Sequence, residues 1–423
     1  MPRIIKNTLL NYIPTDFEIE QIINPARIFE LNNKPIKYGE IIYLCEREIR
    51  AKDNFALLFA IQKTKEVSLP LKIIYPKVNY EYQPKQVFID NQIIQAKKQF
   101  RQIGLDFEII EKSPAEIIKN LRPALIIFDF NPILKRKYLK NADFKIYEID
   151  GHNIIPARFV SDKQEYSAAT LRRKIYYNIY PFLTEFDNLT TEKVEADYVL
   201  ENFIKNKLQY YAEYKNDISK DVLSGLSKYI NLGFISSQRV ALEVIKSGVS
   251  DINKEVFLEE LVVRKELADN FCLYSKNYKD FTSIPNWAKV SLENHMYDIR
   301  PYIYSTEELE KAKTHDTLWN ATQIQLIREG TIHGYLRMYW AKKILEWTPS
   351  PKEGLKTAIY LNDKYAYDSP SANGYTGILW AIAGLHDRAF IYYPITGKIR
   401  RMTYDSIKRK YDLGDYLQKY VSK

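Results

Sequence analysis

Two tryptophans on one predicted helix are the residues whose spacing could support redox chemistry. Trp340 and Trp347 lie seven residues apart in a stretch, 332–347, that has strong helical periodicity. Seven residues make almost two turns, so both indoles face the same side with Cα atoms about 10 Å apart along the axis. Indoles are oxidisable and this spacing suits short electron hops, but the same pattern is typical of a packed core stripe. Spacing alone leaves both interpretations open.

Other catalytic patterns are missing from the sequence. It contains no H-E-x-x-H, C-x-x-C or G-x-S-x-G motif, and its five histidines do not have metal-ligand spacing. Cys45 and Cys272 are too few for a disulfide framework or a four-ligand zinc site. These observations argue against a hydrolase or a metalloenzyme and predict no metal site. They favour a reduced, cytoplasmic compartment.

The composition is that of a globular protein, with 46% apolar and 27% charged residues in a chain of 423. This length predicts two or three domains. No apolar run reaches about 18 residues, so we expect no membrane span. The net charge of +9 is compatible with a polyanionic partner, and residues 394–423 alone carry eight Lys/Arg against three acidic residues. The 34 tyrosines fit Tyr-for-Phe drift and a binding role equally well.

The elements that position the tryptophans fall into two kinds. Between residues 38 and 155 short apolar runs alternate with longer mixed segments, which predicts a doubly wound parallel α/β domain. No G-x-G-x-x-G or Walker loop follows its first strand, which argues against an ordinary nucleotide site. The predicted strands are Ile41–Cys45, Leu71–Tyr75, Phe107–Ile110, Ala124–Phe128 and Lys145–Ile149, and the predicted helices are Asn54–Lys65, Gln86–Ile103 and Pro114–Leu121.

Helical periodicity replaces strand periodicity from residue 195 onward. Ser236 is a predicted N-cap of a helix that runs to Lys246, and Ser250 or Asp251 begins one that runs past Leu267. We therefore predict an all-α domain over residues 195–423. A connector, 156–194, joins it to the α/β domain, and residues 1–37 form an N-terminal extension.

Several segments in the same order resemble class II cyclobutane pyrimidine dimer photolyases, members of the photolyase/cryptochrome superfamily. The resemblance covers about residues 40–420. The segments are Arg-Glu-Ile-Arg-Ala-Lys-Asp-Asn (47–54), Ser-Asp-Lys-Gln-Glu-Tyr (161–166), Glu-Glu-Leu-Val-Val-Arg-Lys-Glu-Leu-Ala-Asp-Asn-Phe-Cys (259–272), Lys-Thr-His-Asp-Thr-Leu-Trp-Asn-Ala (313–321), His-Gly-Tyr-Leu-Arg-Met-Tyr-Trp-Ala-Lys-Lys (333–343), Tyr-Leu-Asn-Asp-Lys-Tyr (360–365), Asn-Gly-Tyr (373–375), Gly-Leu-His-Asp-Arg-Ala (384–389) and Gly-Lys-Ile-Arg (397–400).

The resemblance implies a helical domain that binds FAD and repairs double-stranded DNA containing pyrimidine dimers. Photoexcited, fully reduced FAD would pass an electron to a flipped-out dimer, the ring would split, and the electron would return. Flipping is physically reasonable because a damaged, poorly stacked pair costs less to extrude. The family's α/β domain can hold an antenna chromophore, a deazaflavin or a folate. We expect a monomer.

The resemblance also assigns residues that serve the flavin. Trp340, Trp319 and Trp347 match the photoreduction chain, with Trp340 nearest the flavin and Trp347 outermost. Asn362 matches the residue that faces N5 of the flavin ring. Other cofactor contacts are implied for Arg337 and Asp368 beside the isoalloxazine and for Tyr211, Lys215, Asn216 and Ser227 at the diphosphate and adenosine.

A second set of residues matches contacts to the lesion and the DNA. Glu260 would hydrogen-bond the dimer as a buried carboxyl, Trp380 would pack against its bases, and Met338 would lie close to it. Arg264, one predicted helical turn after Glu260, should point to the same side. Arg388 and Arg400 match basic residues near the DNA, where one could fill the gap left by the flipped bases.

Three places depart from the family pattern. Residues 226–233 read Leu-Ser-Lys-Tyr-Ile-Asn-Leu-Gly, so Lys228 replaces a proline and Asn231 a histidine. Lys215 stands where arginine is usual, and the loop after Asp368 lacks Asp-Gly-Arg-Asp-Pro. We expect these changes to affect cofactor affinity and loop geometry.

Light-driven repair has two alternatives. One is a cryptochrome-like flavin photoreceptor without repair activity, against which the retained Glu260 and Trp380 argue. The other is a DNA-binding flavoprotein whose cofactor site has decayed, which Lys228 and Asn231 motivate. A flavin spectrum in the purified protein would remove the second alternative.

Overall fold

Six strands form one mostly parallel sheet in the computed structural model, which describes residues 8–187 and 189–421. The strand order is β2-β7-β6-β3-β4-β5, and β1 pairs with β8 in a separate two-stranded sheet. The doubly wound parallel sheet predicted from the sequence is confirmed. The strands are β1 Ile19–Glu20, β2 Ile28–Glu30, β3 Glu40–Leu44, β4 Leu71–Pro76, β5 Phe107–Ile110, β6 Pro123–Asp129, β7 Lys145–Ile149 and β8 Glu185–Phe186.

Three short strands were not predicted: β1 and β2 within the first 37 residues, and β8 within the connector. β2 lies within the segment taken as an N-terminal extension, and it pairs antiparallel with β7, Ile28 opposite Ile149. It has only three residues, too few for an alternating pattern to be recognised. Its position is fixed by pairing and by the buried Arg27, whose guanidinium donates to the carbonyl oxygens of Asp150 and Asn153, both at 3.0 Å.

Most of the remaining regular structure is α-helical. The helices are α1 Phe55–Val67, α2 Gln83–Gln102, α3 Pro114–Lys119, α4 Ala157–Val160, α5 Ala168–Asn178, α6 Glu195–Asn202, α7 Tyr211–Tyr214, α8 Ser227–Asn231, α9 Ser237–Lys246, α10 Asp251–Leu258, α11 Lys265–Tyr274, α12 Asn286–Asn294, α13 Thr306–Glu310, α14 Thr317–Glu329, α15 Gly334–Trp347, α16 Pro351–Tyr365, α17 Ala372–Ala383, α18 Tyr404–Lys408 and α19 Gly414–Val421. Ser236 caps α9 as predicted, because its hydroxyl accepts the backbone N–H groups of Gln238 and Arg239.

Both faces of the sheet are covered. Neighbouring strand residues point to opposite faces, and Ile146 packs in one cluster with Ile117 of α3. The next residue, Tyr147, makes an edge contact with Phe59 of α1 at 5.1 Å between ring centroids. These contacts explain why the strands read as near-continuous apolar runs.

The chain changes direction across the sheet between β3 and β6, and a buried carboxylate holds the loop at this point. Asp129, at the end of β6, accepts the backbone N–H groups of Glu46, Arg47 and Glu48 at 2.8–3.0 Å. Burial, reinforced by the nearby Glu48 carboxylate, raises the pKa of Asp129 to about 6. The loop after β3 is therefore fixed by one side chain.

The chain divides into two compact units. The first comprises residues 1–163, 169–209 and 224–266, and the second comprises 164–168, 210–223 and 267–423. This grouping divides the range 195–423, because residues such as Gln238 and Arg239 bond to Arg27 and Asp53 within the first unit. The boundaries 38–155, 156–194 and 195–423 stay a prediction.

Gly233 provides a test of the packing in the first unit. It has φ +69°, and a Cβ there would lie 1.8 Å from the Arg47 carbonyl oxygen. Gly104 has φ +73° with nothing within 4 Å of such a Cβ. Both Ala substitutions incur left-handed strain of about 1–2 kcal/mol, and Gly233→Ala should add about 1–3 kcal/mol of overpacking. Thermal unfolding should therefore show the larger drop in Tm for Gly233→Ala, and equal drops would contradict the packing described.

Candidate active site

Three buried indoles form a continuous stack on α14 and α15. The ring centroids of Trp319 and Trp340 are 6.5 Å apart and their planes differ by 2°. Those of Trp319 and Trp347 are 5.7 Å apart at 69°. Trp319 thus lies between the two tryptophans whose spacing the sequence singled out, and all three are at most 5% exposed.

Hydrogen bonds fix the rings of this stack. Trp319 Nε1 donates to the Trp340 carbonyl oxygen at 3.0 Å, and Trp340 Nε1 donates to Gln323 Oε1 at 2.8 Å. Asp316 caps α14 by accepting the backbone N–H of Trp319 at 2.9 Å. Sequence reasoning missed Gln323, although a glutamine one turn after Trp319 is a signal that could have found it.

The stack continues into polar rings beyond Trp347. His315 lies 5.0 Å and Tyr304 5.7 Å from Trp347 between ring centroids, and the Tyr304 hydroxyl is 2.8 Å from His315 Nδ1. Tyr302 stacks on His315 at 3.7 Å and is 47% exposed. A contiguous set of rings therefore runs from buried Trp340 to solvent.

Arg337 and Asp368, predicted as a pair, form one. Both Nη atoms of Arg337 lie 3.3 Å from both carboxylate oxygens of Asp368. Arg337 is on α15, one residue before Met338 and three before Trp340, and Asp368 lies in the loop after α16. Because the planar guanidinium of Arg337 contacts both carboxylate oxygens of Asp368, the orientation of the guanidinium is fixed.

Asn362 is buried on α16 in a polar network. Its Nδ2 donates to Ser369 Oγ at 3.0 Å and, more weakly, to Asp363 Oδ1 at 3.4 Å. Asp363 is held in turn by the Tyr375 hydroxyl at 2.8 Å. With Nδ2 engaged inside the protein, Oδ1 is the Asn362 atom that can accept a hydrogen bond from a ligand.

Among the buried polar atoms of the second unit that have no hydrogen-bond partner in residues 8–187 and 189–421, two lie close in sequence to predicted site residues. They are Nε2 of His333 and Oγ1 of Thr376. Each lies four residues before a predicted site residue, His333 before Arg337 and Thr376 before Trp380, and so shares its helix face. Because buried polar groups are normally satisfied, these atoms fit a ligand that carries hydrogen-bonding groups.

The four residues predicted at the cofactor diphosphate are divided between the two compact units. Tyr211, Lys215 and Asn216 belong to the second unit, around α7, and Ser227 begins α8 in the first. Tyr211 is buried and the Lys215 ammonium lies 6.0 Å from its ring centroid, whereas Asn216 is exposed.

Lys228, which stands where the family has a proline, packs against two aromatic rings. Its ammonium lies 4.6 Å from the ring centroid of Phe88 and 5.1 Å from that of Tyr229. Burial lowers the pKa of Lys228. The substitution is therefore accommodated by cation–π contacts.

The structure corrects two expectations about Glu260. It lies in a π-helical turn, Glu259–Arg264, and is exposed rather than buried. Arg264 Nε contacts Glu259 Oε1 at 3.2 Å, so the arginine faces Glu259 and not Glu260. A π turn brings residues i and i+5 together, whereas an α-helix would have paired i and i+4. Arg172 approaches the same Glu259 carboxylate.

Trp380 and Met338 lie in the second unit. Trp380 is on α17 and is 37% exposed, unusual among the tryptophans described above, while Met338 is half-buried on α15. An exposed indole can stack on a flat ligand. Glu260 belongs to the first unit, and its predicted meeting with Trp380 at one lesion stays a prediction.

Arg388 and Arg400 converge on one ring. Their guanidinium carbons lie 5.5 Å and 5.6 Å from the centroid of Phe390. Phe390 begins a hairpin, residues 390–400, in which Tyr393 and Gly397 exchange backbone hydrogen bonds at 3.0 and 2.8 Å. Both arginines are exposed. The 390–400 hairpin was not predicted, because its pairing spans only four residues.

A buried lysine supports the helix that carries Trp380. Lys342 is 3% exposed and donates from Nζ to the Ala381 carbonyl oxygen at 2.8 Å. Burial lowers the pKa of Lys342 to about 8; Asp387 and Glu346 oppose this shift and Arg400 adds to it. The lysine thus joins α15 to the last turn of α17.

No helix in the described parts of the chain is long and apolar enough to cross a membrane.

A deazaflavin or folate antenna in the α/β domain stays a prediction.

Comparisons with solved structures identify the fold. A bacterial class III photolyase from Agrobacterium tumefaciens superposes with a TM-score of 0.68 and 16% identity over 93% of this chain and 88% of its own. A cryptochrome from Synechocystis sp. PCC6803 gives 0.69 and 14% over 93% and 90%. At these identities they establish the photolyase/cryptochrome fold alone. No protein-family model matches the chain.

Comparisons with curated proteins identify the family. A deoxyribodipyrimidine photo-lyase of Potorous tridactylus is 36% identical over 433 residues, which cover 89% of this chain and 80% of that protein. The enzyme of the same name from Oryza sativa subsp. japonica is 35% identical over 91% and 88%. That of Methanothermobacter thermautotrophicus is 30% identical over 94% and 98%. This chain therefore belongs to the deoxyribodipyrimidine photo-lyase family, and the enzyme class predicted from its sequence is confirmed.

The buried Lys342 makes a testable contribution to stability. Its pKa of about 8 in the folded protein lies below the unfolded value of about 10.4. Below pH 8 the buried lysine is charged, and the full free-energy cost of burying that charge lowers stability. As pH rises towards 10 the folded protein loses this proton first, so the destabilisation decreases. Over this range the free energy of unfolding of the wild type should rise by up to about 3 kcal/mol relative to that of Lys342→Met. Unfolding at pH 7 and pH 9.5 tests this, and a wild-type–mutant difference that does not change with pH would contradict it.

Proposed function

We propose that this enzyme is a class II photolyase that repairs cyclobutane pyrimidine dimers in double-stranded DNA by light-driven electron transfer from bound FAD. The observation that carries the proposal is the stack of Trp340, Trp319 and Trp347, with its ring contacts at 6.5 and 5.7 Å. A core stripe needs only apolar packing, whereas the Trp319 and Trp340 rings are parallel and each is fixed by a hydrogen bond from its indole N–H. The family relatives support the same function by their names.

The residues around this stack suit a flavin. Arg337, held by Asp368, offers a fixed cation, and buried Asn362 offers an acceptor oxygen that suits a ring N–H. The unsatisfied His333 Nε2 and Thr376 Oγ1 would gain partners. Tyr211, Lys215, Asn216 and Ser227 would bind the diphosphate and adenosine, where a cation and hydroxyls match phosphate oxygens. When bound and reduced, FAD supplies the electron that splits the dimer.

The protein's own residues then divide the remaining tasks. When FAD is bound, Trp340 would be its nearest electron donor, Trp319 and then Trp347 would refill Trp340, and an external reductant would refill Trp347. Trp380 stacks on the dimer's bases, with Met338 beside it. From its protonated carboxyl, exposed Glu260 would donate a hydrogen bond to a dimer carbonyl and so stabilise charge that develops there, which is where a preorganised donor helps most.

The cationic hairpin suits a DNA partner. Arg388 and Arg400 flank Phe390 on an exposed surface, and phosphate contacts of this kind give affinity that falls with salt. The half-buried Phe390 ring and the exposed guanidinium groups would fill the space left by flipped bases.

The direct test is repair of a defined duplex that contains one thymine dimer. Purified enzyme reconstituted with FAD and chemically reduced should convert the dimer to two thymines under blue light and leave it intact in the dark, as measured by chromatography of the oligonucleotide. Flavin binding and DNA binding without light-dependent conversion would instead support the cryptochrome-like photoreceptor, whose fold this chain shares.

Trp319 is the ring that contacts both other indoles, so Trp319→Phe should block light-driven reduction of oxidised FAD. Repair should persist once the flavin is reduced chemically, because the dimer takes its electron without the indoles. Trp287→Phe, on α12 of the same unit, is the matched control and should behave as wild type. Absorbance of the flavin during illumination measures the rate, and wild-type photoreduction in Trp319→Phe would remove the stack from the electron path.

A further inference from the structure

The 390–400 hairpin has a strained turn that its own sequence does not favour. Ile395 has φ +69°. A β-branched residue in the left-handed region is a genuine outlier, and such strain persists only where surrounding contacts impose it. The turn therefore needs an external contact to keep its shape.

That contact comes from the segment after α12. Asp298 Oδ2 accepts the backbone N–H of Ile395 at 2.7 Å, and His295 Nδ1 lies 2.5 Å from the same oxygen. These two interactions, the Ile395 N–H first, lower the pKa of Asp298. The His295 ring also contacts the Tyr392 ring at 4.5 Å between centroids. The carboxylate is thus fixed between a buried histidine and the strained turn.

A second contact holds the returning strand of the hairpin. Ser291, on α12, accepts the backbone N–H of Lys398 at 2.8 Å. A Cβ on Gly397 would lie 2.2 Å from Ser291 Oγ, so the hairpin passes too close to α12 for any larger residue. Lys398 lies two residues before Arg400, and the orientation of Arg400 depends on this docking.

We propose that Asp298, oriented by His295, is a positioning residue for recognition of damaged DNA: it imposes the turn at Ile395 and so presents Arg388 and Arg400 together. This inference rests on the proposed function, because it assigns the hairpin to DNA binding. It makes a counterintuitive prediction. Removing an acidic group beside a DNA surface should tighten binding by simple electrostatics, whereas here it should weaken it.

The experiment measures Kd for a dimer-containing duplex and for the same duplex undamaged, at one salt concentration, with flavin content and Tm recorded for each variant. Asp298→Ala should weaken binding to the damaged duplex about tenfold and change binding to the undamaged duplex much less. Glu307→Ala, which removes a carboxylate paired within its own helix α13, is the matched control and should leave both unchanged. Unchanged or tighter binding by Asp298→Ala would overturn the proposal.

Relief of the strain provides a second, sharper variant. Asparagine tolerates the left-handed region, so Ile395→Asn in the Asp298→Ala background should recover part of the lost affinity. A merely structural role for Asp298 would not be rescued by a change in the turn. Failure of this rescue, with flavin content and Tm of wild type, would contradict the role assigned to Ile395.

A measurement without DNA separates this proposal from the proposed function. Trypsin cleaves after Lys398, Arg400 and Arg401, and cleavage there should be faster in Asp298→Ala than in wild type or Glu307→Ala. If wild type does not prefer damaged DNA, the proposed function fails, and the proteolysis still decides whether Asp298 holds the hairpin. Equal cleavage rates would show that it does not.

Discussion

The hydrogen bond from the Trp319 indole to the Trp340 carbonyl oxygen is the interaction on which the proposed electron path depends. It joins α14 to α15 and sets the 6.5 Å separation of two parallel rings. Helix α15 in turn packs against α16 and α17. The same helix carries Arg337 and Lys342, so the proposed electron path, the Asp368 pair and the support of Trp380 share one helix. A shift of α15 would disturb all three.

Much of the fold could be predicted because the local sequence pattern of each element matches the surroundings in which that element packs. The strands Phe107–Ile110 and Lys145–Ile149 have the predicted bounds, since buried parallel strands read as apolar runs between turn residues. β2 and the 390–400 hairpin could not be predicted, because their own pairing residues are few and each also depends on partners distant in sequence. The π turn at Glu259–Arg264 is a similar case, since one extra residue per turn leaves no trace in composition and yet changes which glutamate Arg264 meets.

The same distinction between local pattern and distant partners applies to the residues of the candidate site. Motif resemblance found the three tryptophans, Arg337, Asp368 and Asn362 because each sits in a recognisable segment. It did not find Gln323 or Ser369, which accept hydrogen bonds from Trp340 and Asn362. Nor did it find Asp298, which accepts the backbone N–H of Ile395 in the 390–400 hairpin. Loops carry the exposed arginines, and buried polar groups on helices hold the loops, which is the usual division between scaffold and recognition surface.

Electron donation to the dimer is the central claim, and the excited-state lifetime of the reduced, bound flavin tests it most directly. The lifetime should shorten when the enzyme binds a duplex containing a thymine dimer and should stay unchanged with the undamaged duplex, because only the dimer can accept the electron. Equal lifetimes on the two duplexes, with both bound to saturation, would contradict the account.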